Sequence, residues 1–105
     1  GDGKQRRDFT YVGDVVEANM IASMSESKDI LGEVFNIGTG QNHSMWDLVK
    51  MISRETTPIE NKHYRFIPER PAEVKISLAD ITKADKVLKW QPFMDLREWL
   101  NTVKV

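Results

Sequence analysis

Two arginines that could bind phosphate stand beside rigid or glycine-rich turns, 63 positions apart in the sequence. Arg7 follows a Gly-Asp-Gly turn at positions 1–3, and Arg70 precedes Pro71, with Glu73 three residues further on. A planar guanidinium binds phosphate oxygens through two parallel hydrogen bonds, so two arginines brought together suit a diphosphate. Pro71 restricts Arg70 to extended conformations, which helps to fix the direction of its side chain.

The same residues also have simpler interpretations. Arg7 beside Asp8 is typical of a turn residue paired with its neighbour, and residue type and spacing alone favour that interpretation. Successive residues of an extended segment point to opposite faces, so only one of Arg6 and Arg7 should face a shared ligand. Glu73 fits two roles, an exposed ion pair with Arg70 or an acceptor for ribose hydroxyls.

Other polar positions are weaker candidates. Residues 38–42, Gly-Thr-Gly-Gln-Asn, place amides ahead of a predicted helix, where anions bind, but they match no dinucleotide or P-loop motif. We therefore interpret them first as a turn and second as a phosphate contact. His43 and His63 have no partner at ligand spacing, so no metal site is expected. Ser44 fits a helix cap better than a nucleophile, and we assign no catalytic residue.

Four helices and two or three short strands are predicted around these residues. The helices cover residues 14–25, 44–55, 79–88 and 95–103, with Asp14, Ser44 and Asp95 as N-caps. Residues 8–12 form a short extended stretch, and strands are predicted at residues 33–37 and 63–67. These elements are too few for a doubly wound nucleotide-binding sheet, so we expect one small α/β lobe over residues 1–105.

Composition limits the classes of partner. The 105 residues contain 15 Lys and Arg against 16 Asp and Glu, a net charge of −1, which argues against nucleic-acid or membrane-surface binding. The absence of cysteine favours a cytoplasmic location. No apolar run approaches the roughly 20 residues of a membrane span. The sequence opens within what looks like a loop, so we expect it to be a piece of a longer protein.

Three ordered blocks resemble the C-terminal part of the extended short-chain dehydrogenase/reductase family, the NAD-dependent nucleotide-sugar epimerases and dehydratases. Residues 1–15, GDGKQRRDFTYVGDV, resemble the family pattern Gly-Asp-Gly-x-Gln-x-Arg-Asp-Phe-x-x-Val-x-Asp-Val. Residues 35–40, FNIGTG, are similar to the next block, and RPAE at residues 70–73 to the start of the closing block. The detail is most similar to UDP-glucose 4-epimerase-like members.

The resemblance implies roles for four residues. Arg7 and Arg70 would contact the diphosphate of the substrate, which is expected to be a UDP-sugar. Glu73 would bind the ribose, and Gln41 would add a polar contact to the diphosphate. NAD is expected in the complete enzyme, bound by an N-terminal Rossmann domain that this chain lacks.

The sequence departs from the family pattern in its catalytic motifs. It contains no Gly-x-x-Gly-x-x-Gly loop and no Tyr-x-x-x-Lys, because Val15 stands four residues after Tyr11 and Pro68 four residues after Tyr64. The chain alone is therefore expected to bind no NAD and to be inactive. Its missing partner domain would leave an apolar face exposed, so self-association is expected. The alternatives are a freestanding binding or oligomerisation module and a small α/β protein whose basic loops merely cap helices.

Overall fold

The computed structural model describes residues 1–103 as four short helices and one two-stranded sheet. In chain order the elements are β1 (Arg6–Arg7), α1 (Val12–Met24), β2 (His43–Ser44), α2 (Met45–Ser53), a π-helix (Ala84–Leu88) and α3 (Leu96–Thr102). The strands pair antiparallel, with Arg6 opposite Ser44 and Arg7 opposite His43. This small α/β arrangement confirms the predicted fold class. Within residues 1–103, no helix combines the length and apolar character that crossing a bilayer requires.

Local capping signals position α2 and α3 correctly. The Ser44 hydroxyl accepts from the Asp47 amide at 3.0 Å, and Asp47 Oδ2 accepts from the Ser44 amide at 3.1 Å, which completes the predicted capping box. Asp95 Oδ1 accepts from the Glu98 amide at 2.7 Å and begins α3 as predicted. Helix α2 ends at Ser53, two residues earlier than predicted, because Arg54 adopts left-handed backbone angles.

The predicted role of Asp14 as a helix cap is wrong. Helix α1 begins at Val12, and Asp14 is fully buried inside its first turn. The Asp14 carboxylate accepts from the amides of Phe93 and Met94, both at 3.2 Å, and its carbonyl accepts from Trp90 Nε1 at 3.0 Å. A buried carboxylate needs such donors, so Asp14 fastens α1 to the C-terminal part of the chain.

The core is small and lies where α1 meets the π-helix. Ala18 of α1 packs with Ala84, Leu88 and Trp90, and all four residues are at most 5% exposed. We call these four residues the buried seam. Small side chains at Ala18 and Ala84 allow close approach of the two helices, while Trp90 supplies most of the buried volume.

The remaining predicted elements differ from the structure. Residues 33–37 and 63–67 form no strand, and the second segment contributes only an isolated bridge between Glu60 and Tyr64. Residues 8–11 form neither helix nor strand, and α1 begins at Val12. The strand of the sheet lies earlier, at Arg6–Arg7. The third predicted helix begins at residue 82 rather than residue 79 and winds as a π-helix from Ala84. Alternating side chains predict a strand, but a strand also needs a hydrogen-bonded neighbour.

Candidate functional site

The sheet brings the two predicted phosphate-binding segments together. The Arg6 amide donates to the Lys75 carbonyl at 2.7 Å, and the Ser77 amide donates to the Arg6 carbonyl at 3.0 Å. Residues 75–77 therefore run beside β1, with a parallel bridge between Arg6 and Ile76. This parallel pairing places the turn at residues 70–73 beside the residues that precede β1, within reach of the Arg7 side chain.

Arg7 and Glu73 meet across this junction. Arg7 Nη2 lies 3.9 Å from Glu73 Oε1, and the two side chains are 30% and 21% exposed. Arg7 Nη1 also donates to the Arg6 carbonyl at 2.8 Å, which holds the guanidinium close to the backbone. At 3.9 Å the pair is at the long end of an ion pair and forms no short hydrogen bond, so it constrains Arg7 weakly.

Arg70 is close to Glu73 through the backbone rather than through its side chain. The Glu73 amide donates to the Arg70 carbonyl at 3.3 Å, closing a turn in which Ala72 has a φ of 59°. Arg70 is exposed, and within residues 1–103 its guanidinium has no carboxylate within 4.0 Å. The turn therefore presents Arg70 to solvent beside the partner of Arg7.

Arg6 engages different partners from Arg7, as alternation in an extended segment predicts. Its Nε donates to Asn42 Oδ1 at 2.9 Å and its Nη2 to the Asn42 carbonyl at 3.0 Å, while Nη1 lies 3.9 Å from Asp47 Oδ2. The Ser44 amide, with further help from the Ser44 hydroxyl and the charges of Arg6 and His43, holds the pKa of Asp47 below its ordinary value. Arg6 is thus a structural residue of the sheet.

Asp8 has a role that the sequence analysis missed. Its carboxylate accepts from the amides of Thr39 and Gly40 at 3.0 Å and from the Thr39 hydroxyl. The interpretation of Asp8 as the local partner of Arg7 is therefore wrong. Gly38 lies against this carboxylate, because a Cβ there would stand 2.8 Å from Asp8 Oδ2 and 2.6 Å from Ala79 Cβ.

Gln41 follows this loop and is exposed. Its backbone amide donates to the Thr39 hydroxyl at 3.1 Å. Among the described residues, no hydrogen bond joins its side chain to Arg7, Arg70 or Glu73. The amides of the loop bind the protein's own carboxylate, so the interpretation as a turn describes them better than an open phosphate site.

An aromatic cluster fixes the glycine-rich turn that precedes β1. Trp46 Nε1 donates to the Asp2 carbonyl at 3.0 Å, and its ring packs edge-on with Tyr64 and Phe66. A Cβ at Gly3 would stand 2.7 Å from Trp46 Nε1, and Gly3 has a φ of +79°. Only glycine fits both this approach and this backbone, so Trp46 sets the path of the chain into Arg7.

A cavity of about 790 Å³ opens next to Glu73. The charged and polar side chains lining it are Asp2, Lys4, Gln5, Glu69, Glu73 and Lys75, and Phe66 contributes an aromatic face. Its volume lies within the range of small-molecule sites, roughly 300–1,000 Å³. Three carboxylates and two lysines give the lining mixed charge, and Arg7 and Arg70 lie outside it.

Neither a metal-ligand cluster nor an open phosphate-binding loop is present among residues 1–103. No group of three His, Cys, Asp or Glu residues is arranged to hold a metal among residues 1–103. The loop amides of Thr39 and Gly40 already donate to Asp8, so this loop offers no cradle for a dinucleotide pyrophosphate.

Comparisons with known proteins identify the class. The family model described as GDP-mannose 4,6 dehydratase matches residues 1–103. The UDP-glucuronate 4-epimerase of Thermodesulfobacterium geofontis is 36% identical over 102 residues, which cover 96% of this chain and 30% of that protein. The chain thus spans about three-tenths of the length of this curated relative.

Solved structures agree with this result. The UDP-glucose 4-epimerase of Thermotoga maritima, solved with UDP-glucose, aligns with a TM-score of 0.75 and 37% identity over 95% of this chain and 30% of that chain. The UDP-glucuronic acid 4-epimerase of Bacillus cereus, solved with UDP-glucuronic acid and NAD, gives a TM-score of 0.80 and 36% identity, covering 96% and 31%. The fold is that of part of an extended short-chain dehydrogenase/reductase. The chain belongs to the GDP-mannose 4,6 dehydratase family.

Proposed function

We propose that this chain is the substrate-binding portion of an NAD-dependent nucleotide-sugar epimerase or dehydratase and that it holds the diphosphate of a UDP-sugar. The observation that carries the proposal is the approach of Arg7 Nη2 to Glu73 Oε1 at 3.9 Å. It joins two segments far apart in sequence into one charged site beside a cavity. UDP-sugars are the ligands in the solved structures of the relatives.

The loose contact between Arg7 and Glu73 suits exchange with a ligand. An incoming diphosphate would offer the Arg7 guanidinium two oxygens in place of one distant carboxylate oxygen. Glu73, released from the pair, would accept hydrogen bonds from the ribose hydroxyls. Both charged groups thus keep a partner before and after binding, so neither is left desolvated and unpaired.

Arg70 and Gln41 complete the proposed site. Arg70 stands one turn from Glu73 and is exposed, so its guanidinium is accessible to the same diphosphate. Gln41 would add a polar contact from the loop that Asp8 organises. The contribution to catalysis is positioning: the diphosphate is held so that the sugar reaches a nicotinamide bound by another part of the enzyme.

Titration of UDP-glucose into ¹⁵N-labelled chain tests the proposal. We expect millimolar binding with chemical-shift changes at Arg7, Glu73 and Arg70, because this chain supplies only part of the pocket. Arg7→Lys keeps the charge but loses bidentate geometry, so we expect its Kd to rise about tenfold. Uridine lacks the diphosphate, so its Kd should differ far less between the wild type and Arg7→Lys.

Arg97→Lys is the matched control, because Arg97 is an exposed arginine on α3. Its Kd should equal that of the wild type. Equal weakening by Arg7→Lys and Arg97→Lys would show that the effect is not specific to Arg7 and would refute the assigned site. The absence of shifts at about 10 mM UDP-glucose, a concentration above the expected millimolar Kd, would refute binding by this chain.

A further inference from the structure

The carboxylate of Asp8 fills a cluster of hydrogen-bond donors in the loop at residues 38–40. Its oxygens accept from the Thr39 amide and the Gly40 amide at 3.0 Å, and Oδ1 also accepts from the Thr39 hydroxyl. Gly40 has a φ of +77°, and consecutive amides in such a turn form the concave arrangement that binds anions. We call these three donor groups the anion nest. The chain itself supplies the anion.

The anion nest is shaped to a carboxylate and is open to solvent. Gly38 leaves room for the carboxylate, because a Cβ there would stand 2.8 Å from Asp8 Oδ2 and 3.3 Å from Asp8 Cγ. Asp8 is only partly buried, and a cavity of about 280 Å³ opens beside it. A small anion from solution could therefore reach the nest if the side chain of Asp8 were removed.

Arg7 and Gln41 lie at the middle of two segments that are joined on both sides. After Arg7 in the chain, Asp8 binds the anion nest. Before Arg7, the Arg6 guanidinium donates to the side-chain and backbone oxygens of Asn42 at 2.9 and 3.0 Å. Gln41 lies between the nest and Asn42 in sequence. The backbones of Arg7 and Gln41 therefore cannot separate unless one of these two connections breaks.

We propose that Asp8 is a positioning residue of the diphosphate site: by filling the anion nest, it holds Arg7 and Gln41 at the separation that one diphosphate requires. The inference rests on the proposed function, which assigns both residues to the diphosphate. Asp8 itself makes no contact with the ligand, because both of its oxygens are bound by the loop and its charge repels a diphosphate. It acts only through the two residues that it holds in place.

Asp8→Asn tests the carboxylate with little change of shape. The amide side chain keeps one acceptor oxygen, but its NH₂ group then faces an N–H of the anion nest, so a donor meets a donor. In titrations of ¹⁵N-labelled chain, we expect the Kd for UDP-glucose to rise about fivefold. The Kd for uridine, which has no diphosphate, should change by less than about twofold. Equal weakening of the two ligands would indicate a general loss of structure and would overturn the inference.

A double-mutant cycle separates positioning from folding. If Asp8 acts through Arg7, its loss should matter little once residue 7 no longer binds the diphosphate through two hydrogen bonds. In the Arg7→Lys background, we therefore expect Asp8→Asn to raise the Kd for UDP-glucose by less than about twofold, against about fivefold in the wild-type background. Additive effects of the two substitutions would contradict the inference, because a residue that only supports the fold would weaken binding equally in both backgrounds.

Chemical rescue tests the anion nest directly. Asp8→Gly deletes a side chain whose size and charge match those of acetate. We expect acetate to shift the Thr39 and Gly40 amide signals of Asp8→Gly to saturation and to restore at least about half of the lost affinity for UDP-glucose. Sodium chloride at the same ionic strength controls for screening and should do neither. Acetate that shifts neither amide, or that leaves the Kd unrestored, would overturn the inference. If Asp8→Gly does not fold, the Asp8→Asn titrations and the cycle decide.

Asp95→Ala is the matched control. Asp95 also accepts from a backbone amide, at 2.7 Å, but it caps α3 outside the proposed site, so its loss should change neither Kd. An effect on UDP-glucose as large as that of Asp8→Asn would contradict the inference. If Arg7→Lys weakens UDP-glucose binding and Asp8→Asn does not, the inference fails and the proposed function stands. If the wild type gives no shifts with UDP-glucose, the proposed function fails and the inference fails with it.

Discussion

The buried seam and the Arg7–Glu73 contact join distant parts of the chain in opposite ways. The seam is at most 5% exposed, and Asp14 beside it receives donors at 3.0–3.2 Å for both its carboxylate and its carbonyl. Arg7 and Glu73 are partly exposed and meet at 3.9 Å. The first arrangement is costly to disturb and the second is easily exchanged. The molecule therefore separates the residues that hold it together from those that a ligand could rearrange.

The largest expected effect tests the seam side of this comparison. Asp14→Ala removes a fully buried carboxylate and leaves two partly buried amides without their acceptor, so we expect a loss of about 3 kcal/mol in the free energy of unfolding. Urea denaturation followed by tryptophan fluorescence measures it. Asp14→Asn keeps one acceptor oxygen and should lose less. Asp29→Ala, at an exposed aspartate, should stay within about 0.5 kcal/mol of the wild type.

A smaller loss is expected at the loop that precedes Gln41. Gly38→Ala places a Cβ 2.6 Å from Ala79 Cβ and 2.8 Å from Asp8 Oδ2, so the loop must shift, at a cost of about 2 kcal/mol. Gly32→Ala meets no atom within 4 Å but has a φ of +72°, so it should cost about 1 kcal/mol from backbone strain alone. Equal costs of the two variants in urea denaturation would show that the loop at Gly38 shifts to accommodate the added Cβ.

The smallest effect concerns Asp47, which joins the sheet to α2. The pKa of Asp47 is lowered in the folded state. Its ionised carboxylate therefore stabilises the fold at pH values above its ordinary pKa, and this stabilisation is lost as the pH falls through the lowered pKa. Asp47→Asn should thus cost under about 1 kcal/mol at pH 7, and the difference from the wild type should shrink below about pH 4. Thermal unfolding across pH measures it.

Ser44→Ala is the control for this pH dependence. It removes a hydroxyl cap that does not itself ionise and that makes only a secondary contribution to the lowered pKa of Asp47, so most of its cost of about 1 kcal/mol should persist at low pH. If the effect of Asp47→Asn were the same at pH 3 and pH 7, the carboxylate would contribute through its shape and not through its charge.

Local signals made part of the fold predictable. The capping box at Ser44 and the cap at Asp95 operate within three residues, so sequence spacing identifies them. Asp14 has the same local signature, but its partners lie at Phe93 and Met94, and no local pattern distinguishes a cap from a buried acceptor. The strand prediction for residues 33–37 failed because side-chain alternation was present and a hydrogen-bonded neighbour was not.

The candidate site was predictable in its residue types but not in its pairing. The sequence proposes Arg7, Arg70 and Glu73 as site residues, and its simpler interpretations pair Arg7 with Asp8 and Glu73 with Arg70. The structure pairs Arg7 with Glu73 because residues 75–77 run beside β1, a contact over almost seventy positions. It also assigns Asp8 to the amides of Thr39 and Gly40, which residue type alone does not indicate.

The bonds of Asp14 also constrain the order of events during synthesis. They reach Trp90, Phe93 and Met94, which are 76, 79 and 80 positions further along the chain. On the ribosome, α1 emerges long before any of these partners has been translated. Until they emerge, the Ala18 face of α1 has nothing to pack against, as in nascent chains that await distant partners. The core therefore forms late, and a chain that ends before residue 90 lacks Trp90, the largest fully buried side chain.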